Sequence, residues 1–190
     1  NDPRVCVSSD ATTRRRFDRP DEVALMESEL FGALSREGRY LWSIDVTVLQ
    51  HLALCATIAR REELPEHVVR ACAAHDLQEA YLRDLPSGLK DLLPDYRKIE
   101  LLWEESIFRR MIIPRDRWTM GHVFRIDQSS LLAEMCVRKH LGYVSVCEEV
   151  GRAASPEDVE DFTVVSSTMK MILWDNMKRI LHPCGGIVWD

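Results

Sequence analysis

The stretch 75–90 reads HDLQEAYLRDLPSGLK and follows the small, apolar run VVRACAA, which reads as the interior of a helix. Glu79 comes four positions after His75 and three after Asp76, offsets that bring side chains onto one patch of a helix. An imidazole with carboxylates is a mixed nitrogen and oxygen donor set, suited to Zn, Mn, Co, Fe or Ni. Burying that much charge without a partner is costly, and a cation would offset it. Two ligands do not fill a coordination sphere, so others must come from elsewhere in the chain. His51, midway along TVLQHLALCA, and Asp127, between HVFRI and SSLLAEM, are the candidates. Asp116 is the alternative to Asp127, although its Pro-Arg-Asp-Arg setting reads as an exposed loop. Taken singly, His51 reads as an interior histidine and Asp127 as a cap. The order His, His-Asp, Asp on three separate predicted helices, each in apolar surroundings, is what makes a metal centre the stronger reading.

Helices must position these groups, because apolar residues recur at helical spacing along most of the chain. Pro20-Asp21 opens a predicted helix over 21–36, which Gly38 interrupts. A second covers 46–61, with Val48, Leu52, Cys55 and Ile58 or Ala59 on one face. A third runs over 65–82 from Pro65 in a first-turn position. DLPSG at 84–88 reads as a loop from its turn residues. A helix over 95–112 carries Ile99, Leu102, Trp103, Ile107 and Met111 as its stripe, and another covers 117–140. The last has Ser155 as cap, Pro156 in first place and Glu157 and Asp158 at the positive end of the helix dipole. It carries Phe162, Val165, Met169, Ile172 and Leu173 toward a core. Strand-like alternation is confined to short stretches such as GYVSV at 142–146, and TTRRRFDRP reads as a loose start. The expectation is all-α, with residues 1–190 as one helical domain and 1–20 as a loose N-terminal segment.

Composition narrows the function classes. Apolar residues make up 46% and charged residues 29% of 190, an ordinary globular balance with enough chain for a substantial core. A net charge of -6 argues against a general nucleic-acid surface or a polybasic membrane patch. No apolar run approaches the roughly 20 residues needed to cross a bilayer, and no signal-peptide pattern stands out. None of the six cysteines forms a CxxC pair, and several sit among apolar residues as small core groups. The expected setting is cytoplasmic and reducing.

HDLQEAYLRDLPSGLK, with His51 upstream and Asp127 downstream, resembles the HD-domain metal-dependent phosphohydrolases. It is similar to the HDxxExxxxDxPxxxK stretch of the branch that contains 5′-deoxynucleotidases and small nucleotide hydrolases, and LLPDYRKIE resembles its continuation. The resemblance covers roughly residues 39 to 135. It implies a single-domain helical HD-domain fold, with His51, His75, Asp76 and Asp127 binding a divalent ion, Zn, Co or Mn before Mg or Ni. Glu79 matches the acid that handles the attacking water and Asp84 the residue near the sugar or a further metal. Lys90 matches a basic position facing phosphate, and Arg39 is a second basic candidate. The flank FRIDQSS departs from the commoner Glu-Ala-Asp form around the last ligand. In GRYLWSID, Trp42 matches a group that stacks on a base and Ile44 one that shapes the pocket, although each alone reads as core. Phage enzymes of this branch that remove triphosphate from dATP have a similar tryptophan–isoleucine pair; if phage-encoded, the chain would work in a host cytoplasm.

The implied activity is hydrolysis of the 5′ phosphoester of (deoxy)nucleotides, from a dNTP such as dATP or, alternatively, from a dNMP. Hydrolysis of ppGpp is disfavoured, since relatives with that activity carry HDxxED and Ala80 follows Glu79 here. A non-catalytic HD-fold binding protein is the reading from another class. The expected partners are a nucleotide substrate and a second copy of the chain, as a dimer or hexamer, with no stable nucleic-acid or membrane partner.

Overall fold

The computed structural model describes residues 5–7, 14–39, 45–138 and 154–182. Among the described residues the fold is all-α apart from one short ribbon. Val5–Val7 (β1) pairs antiparallel with Arg14–Arg16 (β2), Val5 opposite Arg16, where the sequence suggests a loose start. Trp42, Ile44 and GYVSV lie outside the described residues.

The central element is α2, Val48–Arg61. Thr47 and Gln50 form a capping box at its start, the Thr47 amide donating to Gln50 Oε1 at 2.9 Å. This satisfies two of the backbone donors that a helix start leaves orphaned. Arg60 and Arg61 stand at its other end, where positive charge complements the helix dipole. Leu49, Leu52, Leu54, Ile58 and Ala59 are all buried, so the body of α2 is enclosed by its neighbours, with His51 and Gln50 as buried polar residues on it. It is packed by α3 (Glu66–Ala74), α7 (Arg117–Arg138), α8 (Pro156–Ser167) and α9 (Lys170–Leu181). One contiguous apolar cluster joins these elements to α1 (Glu27–Leu34) and α6 (Pro94–Arg110).

Several predicted elements differ in extent. The helix expected over 21–36 is a 3₁₀ turn, Pro20–Glu22, followed by extended chain and then α1. Arg110 of α6 donates to the carbonyls of Pro20, Asp21 and Val23, so an outside guanidinium satisfies acceptors that helix formation would otherwise use. The helix expected over 65–82 stops at Ala74, turns through 75–78, and resumes as the single turn α4, Glu79–Leu82. Residues 84–88, expected as loop, run into a short helix α5, Ser87–Asp91.

The final helix divides at Thr168, whose backbone is extended (φ -78, ψ 138). Ser166, Ser167 and Thr168 all donate their hydroxyls back to carbonyls of α8, the competition by which short polar side chains end helices. The break resets the register. Leu173, Trp174, Met177, Ile180 and Leu181 face the core, while Met169 and Ile172, expected inside, are 67% and 49% exposed. On α6, Trp103 and Ile107, and Met111 just past its end, are buried as expected, but Leu102 is exposed.

Candidate metal centre

Three elements bring the candidate ligands to one point. His51 projects from the middle of α2, and His75 and Asp76 sit in the turn where α3 ends. Asp127 comes from α7. His51 Nε2 lies 3.3 Å from His75 Nε2, 3.2 Å from Asp127 Oδ1 and 3.6 Å from Asp76 Oδ2. His75 Nε2 is 3.4 Å from Asp76 Oδ2 and 4.0 Å from Asp127 Oδ1. Donors about 2.0–2.1 Å from one ion at the corners of a tetrahedron stand about 3.3–3.4 Å apart, close to these spacings.

The tautomers agree with that arrangement. His51 Nδ1 donates to Glu134 Oε1 at 2.8 Å, and His75 Nδ1 donates to the Cys72 carbonyl at 2.9 Å. With both Nδ1 atoms carrying the hydrogen, both Nε2 lone pairs face each other across 3.3 Å. Two acceptors so placed repel unless a cation lies between them, either a proton on His51 Nε2 shared with Asp127 or, in its place, a metal ion. A carboxylate or carbonyl behind a ligating imidazole is also what metal centres use to fix its orientation.

Cys55, one turn after His51 on α2, completes a group with His51 and His75 whose ligand atoms lie within 4.8 Å of one another and that could hold a metal ion. Its Sγ is 3.7 Å from Nε2 and 4.0 Å from Nδ1 of His51. These near-equal distances put the sulfur beside the ring rather than ahead of Nε2, and its hydrogen goes to Ser130 Oγ at 3.3 Å. Burial pushes the Cys55 thiol above its ordinary pKa. Asp76 and Asp127 are therefore the better-placed completing donors.

The charges of the site lie close enough to set one another's ionisation. Burial and the Arg39 guanidinium oppose protonation of His51, but the negative charges around it, Glu134 and Asp127 among them, hold its pKa well above the ordinary histidine value. Asp127, despite burial, is held below the usual carboxylate range by its hydrogen bond to His51 and by the positive charges nearby. Asp76 is lowered in the same way by His75, His51 and Arg39 against its own desolvation. Glu79 moves the other way: burial, reinforced by Asp76 and Asp84, raises its carboxyl well above the ordinary value.

A cleft of ≈ 780 Å³ opens over the cluster, within the usual range of ligand pockets. His75, Asp76 and Asp127 lie on it, and Glu79, Asp84 and Lys90 share the same walls. Asp84 is presented by a strap held at both edges. Glu37 accepts the Asp84 amide at 3.3 Å and pairs with Arg83 at 2.5 Å, while Tyr96 donates to the Arg83 carbonyl at 2.8 Å. Arg83 has φ 75, a left-handed conformation that a non-glycine residue adopts only where its surroundings hold it.

The structure changes the setting of three residues. Arg39, the second basic candidate, is 9% exposed and lies 3.5 Å from Asp76 and 3.3 Å from Glu134. Lys90 is buried against Glu79 and Glu100. Asp116, the alternative ligand, instead caps α7, accepting from the amides of Trp118 and Thr119 at 2.9 and 3.0 Å. Sequence reasoning missed Glu134, which is fully buried behind His51. Its position seven residues after Asp127 puts it on the same face of α7, and that spacing was the available signal.

No family model matches the chain. It is similar to the uncharacterized protein YfdR of Escherichia coli (strain K12), 39% identical over 86 residues. The match covers 44% of this chain and 46% of that protein, so it spans about half the length of the curated relative.

Proposed function

We propose that this chain is a divalent-metal-dependent phosphohydrolase that cleaves the 5′ phosphoester of a nucleotide or deoxynucleotide, with Zn, Co or Mn as its ion. The observation that carries this reading is the pair of imidazole Nε2 atoms 3.3 Å apart, each with Nδ1 committed elsewhere and with carboxylates alongside. His51 would hold the ion from the buried side, and His75, Asp76 and Asp127 from the cleft side. When bound, such an ion lowers the pKa of a water and polarises a phosphoryl oxygen.

The remaining roles fall to the chain's own groups. Glu79 Oε2 is buried without a hydrogen-bond partner, and Glu79 lines the cleft. Its raised pKa brings it toward the range in which a carboxylate takes a proton from water efficiently. Asp84 can accept a sugar hydroxyl, and Arg39 contributes positive charge at the floor. The cleft is large enough for a nucleoside as well as its phosphate.

The test is a substrate panel. Protein loaded in turn with Zn, Co, Mn, Mg and Ni is incubated with dNMPs, dNTPs, rNTPs and ppGpp, and the products are separated by chromatography. Metal-dependent formation of a nucleoside with phosphate or triphosphate is expected. Absence of turnover for every pair of ion and nucleotide rejects the reading.

A further inference from the structure

Lys90 is 8% exposed, and lysine is seldom buried to that degree unless paired. Its Nζ lies 3.4 Å from Glu79 Oε1 and donates to Glu100 Oε1. Glu100 Oε2 is 3.3 Å from Arg97 Nη1, and Arg97 Nη2 reaches Asp91 Oδ1 at 2.8 Å. The acids and bases therefore alternate from the cleft floor to the surface through α4, α5 and α6. Two of the three ammonium donors of Lys90 are directed at carboxylates, which leaves little of it to meet a substrate.

The other charged groups around Glu79 come from different elements: Asp76 from the turn after α3, Asp84 from the strap, and Arg39 from the segment before α2. Among the described residues, Lys90 alone is hydrogen-bonded to the Glu79 carboxylate. It holds Oε1 and leaves Oε2 as the oxygen without a partner.

We propose that Lys90, anchored by Glu100, is a positioning residue that fixes the Glu79 carboxylate for proton transfer and does not bind the phosphate. This rests on the hydrolase reading above. Metal-loaded Lys90→Met, Lys90→Arg, Glu100→Gln and the Lys90→Met/Glu100→Gln double variant are compared with the parent, with metal content and circular dichroism confirming the fold. Lys90→Met is expected to lower kcat tenfold or more, on the order of the loss for a misplaced general base, with KM within about twofold. The acid limb of its pH profile moves upward, because the cation that favours ionised Glu79 is gone. Lys90→Arg recovers part of the loss. The double variant is no slower than Lys90→Met, since Glu100 acts through Lys90.

A tenfold rise in KM with the acid limb in place would mark a phosphate contact instead, and additive losses in the double variant would separate Glu100 from Lys90; either overturns the proposal. If Lys90→Met does not fold, Glu100→Gln decides, with a fall in kcat at constant KM expected and an unchanged kcat overturning it. If the parent hydrolyses nothing, the functional reading fails on its own. The clamp is then tested by carbon NMR titration of the Glu79 carboxyl in zinc-loaded protein, where a titration unchanged by Lys90→Met overturns it.

Discussion

Glu134→Gln is the most informative perturbation of the candidate centre. The parent carboxylate is fully buried, accepts from His51 Nδ1 at 2.8 Å and lies 3.3 Å from Arg39 Nε. A glutamine keeps the shape but has one acceptor oxygen, so its amide nitrogen must face either the imidazole N–H or the guanidinium. Losing a carboxylate behind a ligating histidine typically weakens metal binding about 10- to 100-fold. At a free metal concentration of about 100 times the parental Kd, binding stabilises the parent by about 2.7 kcal/mol. The same concentration stabilises the variant by only about 0.4 to 1.4 kcal/mol, a difference of about 1.3 to 2.3 kcal/mol. For a chain of this size that is roughly 3 to 9 °C of melting temperature.

The assay is the rise in melting temperature on adding metal, measured within each protein so that any effect on the metal-free form cancels. Chelator competition supplies the two dissociation constants directly. If the variant shows the parental metal-induced rise and the parental affinity, Glu134 does not orient His51 for an ion.

Asp127→Ala should lose bound metal, measured by elemental analysis, whereas Glu79→Gln should keep it and lose turnover by about 100-fold or more; equal metal loss in both would remove the division of roles. Because His51 is held above the ordinary histidine value, protons compete with the ion to higher pH. Metal affinity should therefore keep rising beyond about pH 6.5, the ordinary histidine pKa, and a plateau below that point would contradict the site's electrostatics. Burial raises Glu79, so the acid limb of kcat should fall well above the ordinary glutamate pKa of 4.5. Thr47→Ala removes the cap of α2 and should cost about 1 kcal/mol, or roughly 2–4 °C in thermal unfolding.

Much of this could be read from the chain. The stripe Val48, Leu52, Cys55 and Ile58 gave α2 to within two residues at its start, because local periodicity and tertiary burial agree there. The four candidate ligands were found because rare polar residues in apolar surroundings are conspicuous, and the structure brings all four together. What the chain did not reveal depends on partners distant in sequence. The break after Ala74 follows from a turn that aims His75 at the Cys72 carbonyl and toward His51. Chain near residue 21 stops at a 3₁₀ turn and does not enter an α-helix because Arg110 of α6 takes its carbonyls. The burial of Arg39 and Lys90 is not legible in the chain because it rests on Glu134 and Glu100, pairings that no local pattern encodes.

The enclosure of α2 also divides the cleft by mobility. His51 stands on a helix with core on every side, where backbone opening should require near-global unfolding. Glu79, Asp84 and Lys90 belong to the single turn α4, the strap and the five-residue α5, and Leu89, Leu92 and Leu93 beside them are exposed. Such segments open at lower free energy. Amide hydrogen exchange should therefore be slow along α2 and markedly faster through residues 82–93. A molecule entering the cleft would meet a floor in which His51 hardly moves and a wall, carrying Asp84 and Lys90, that opens more readily.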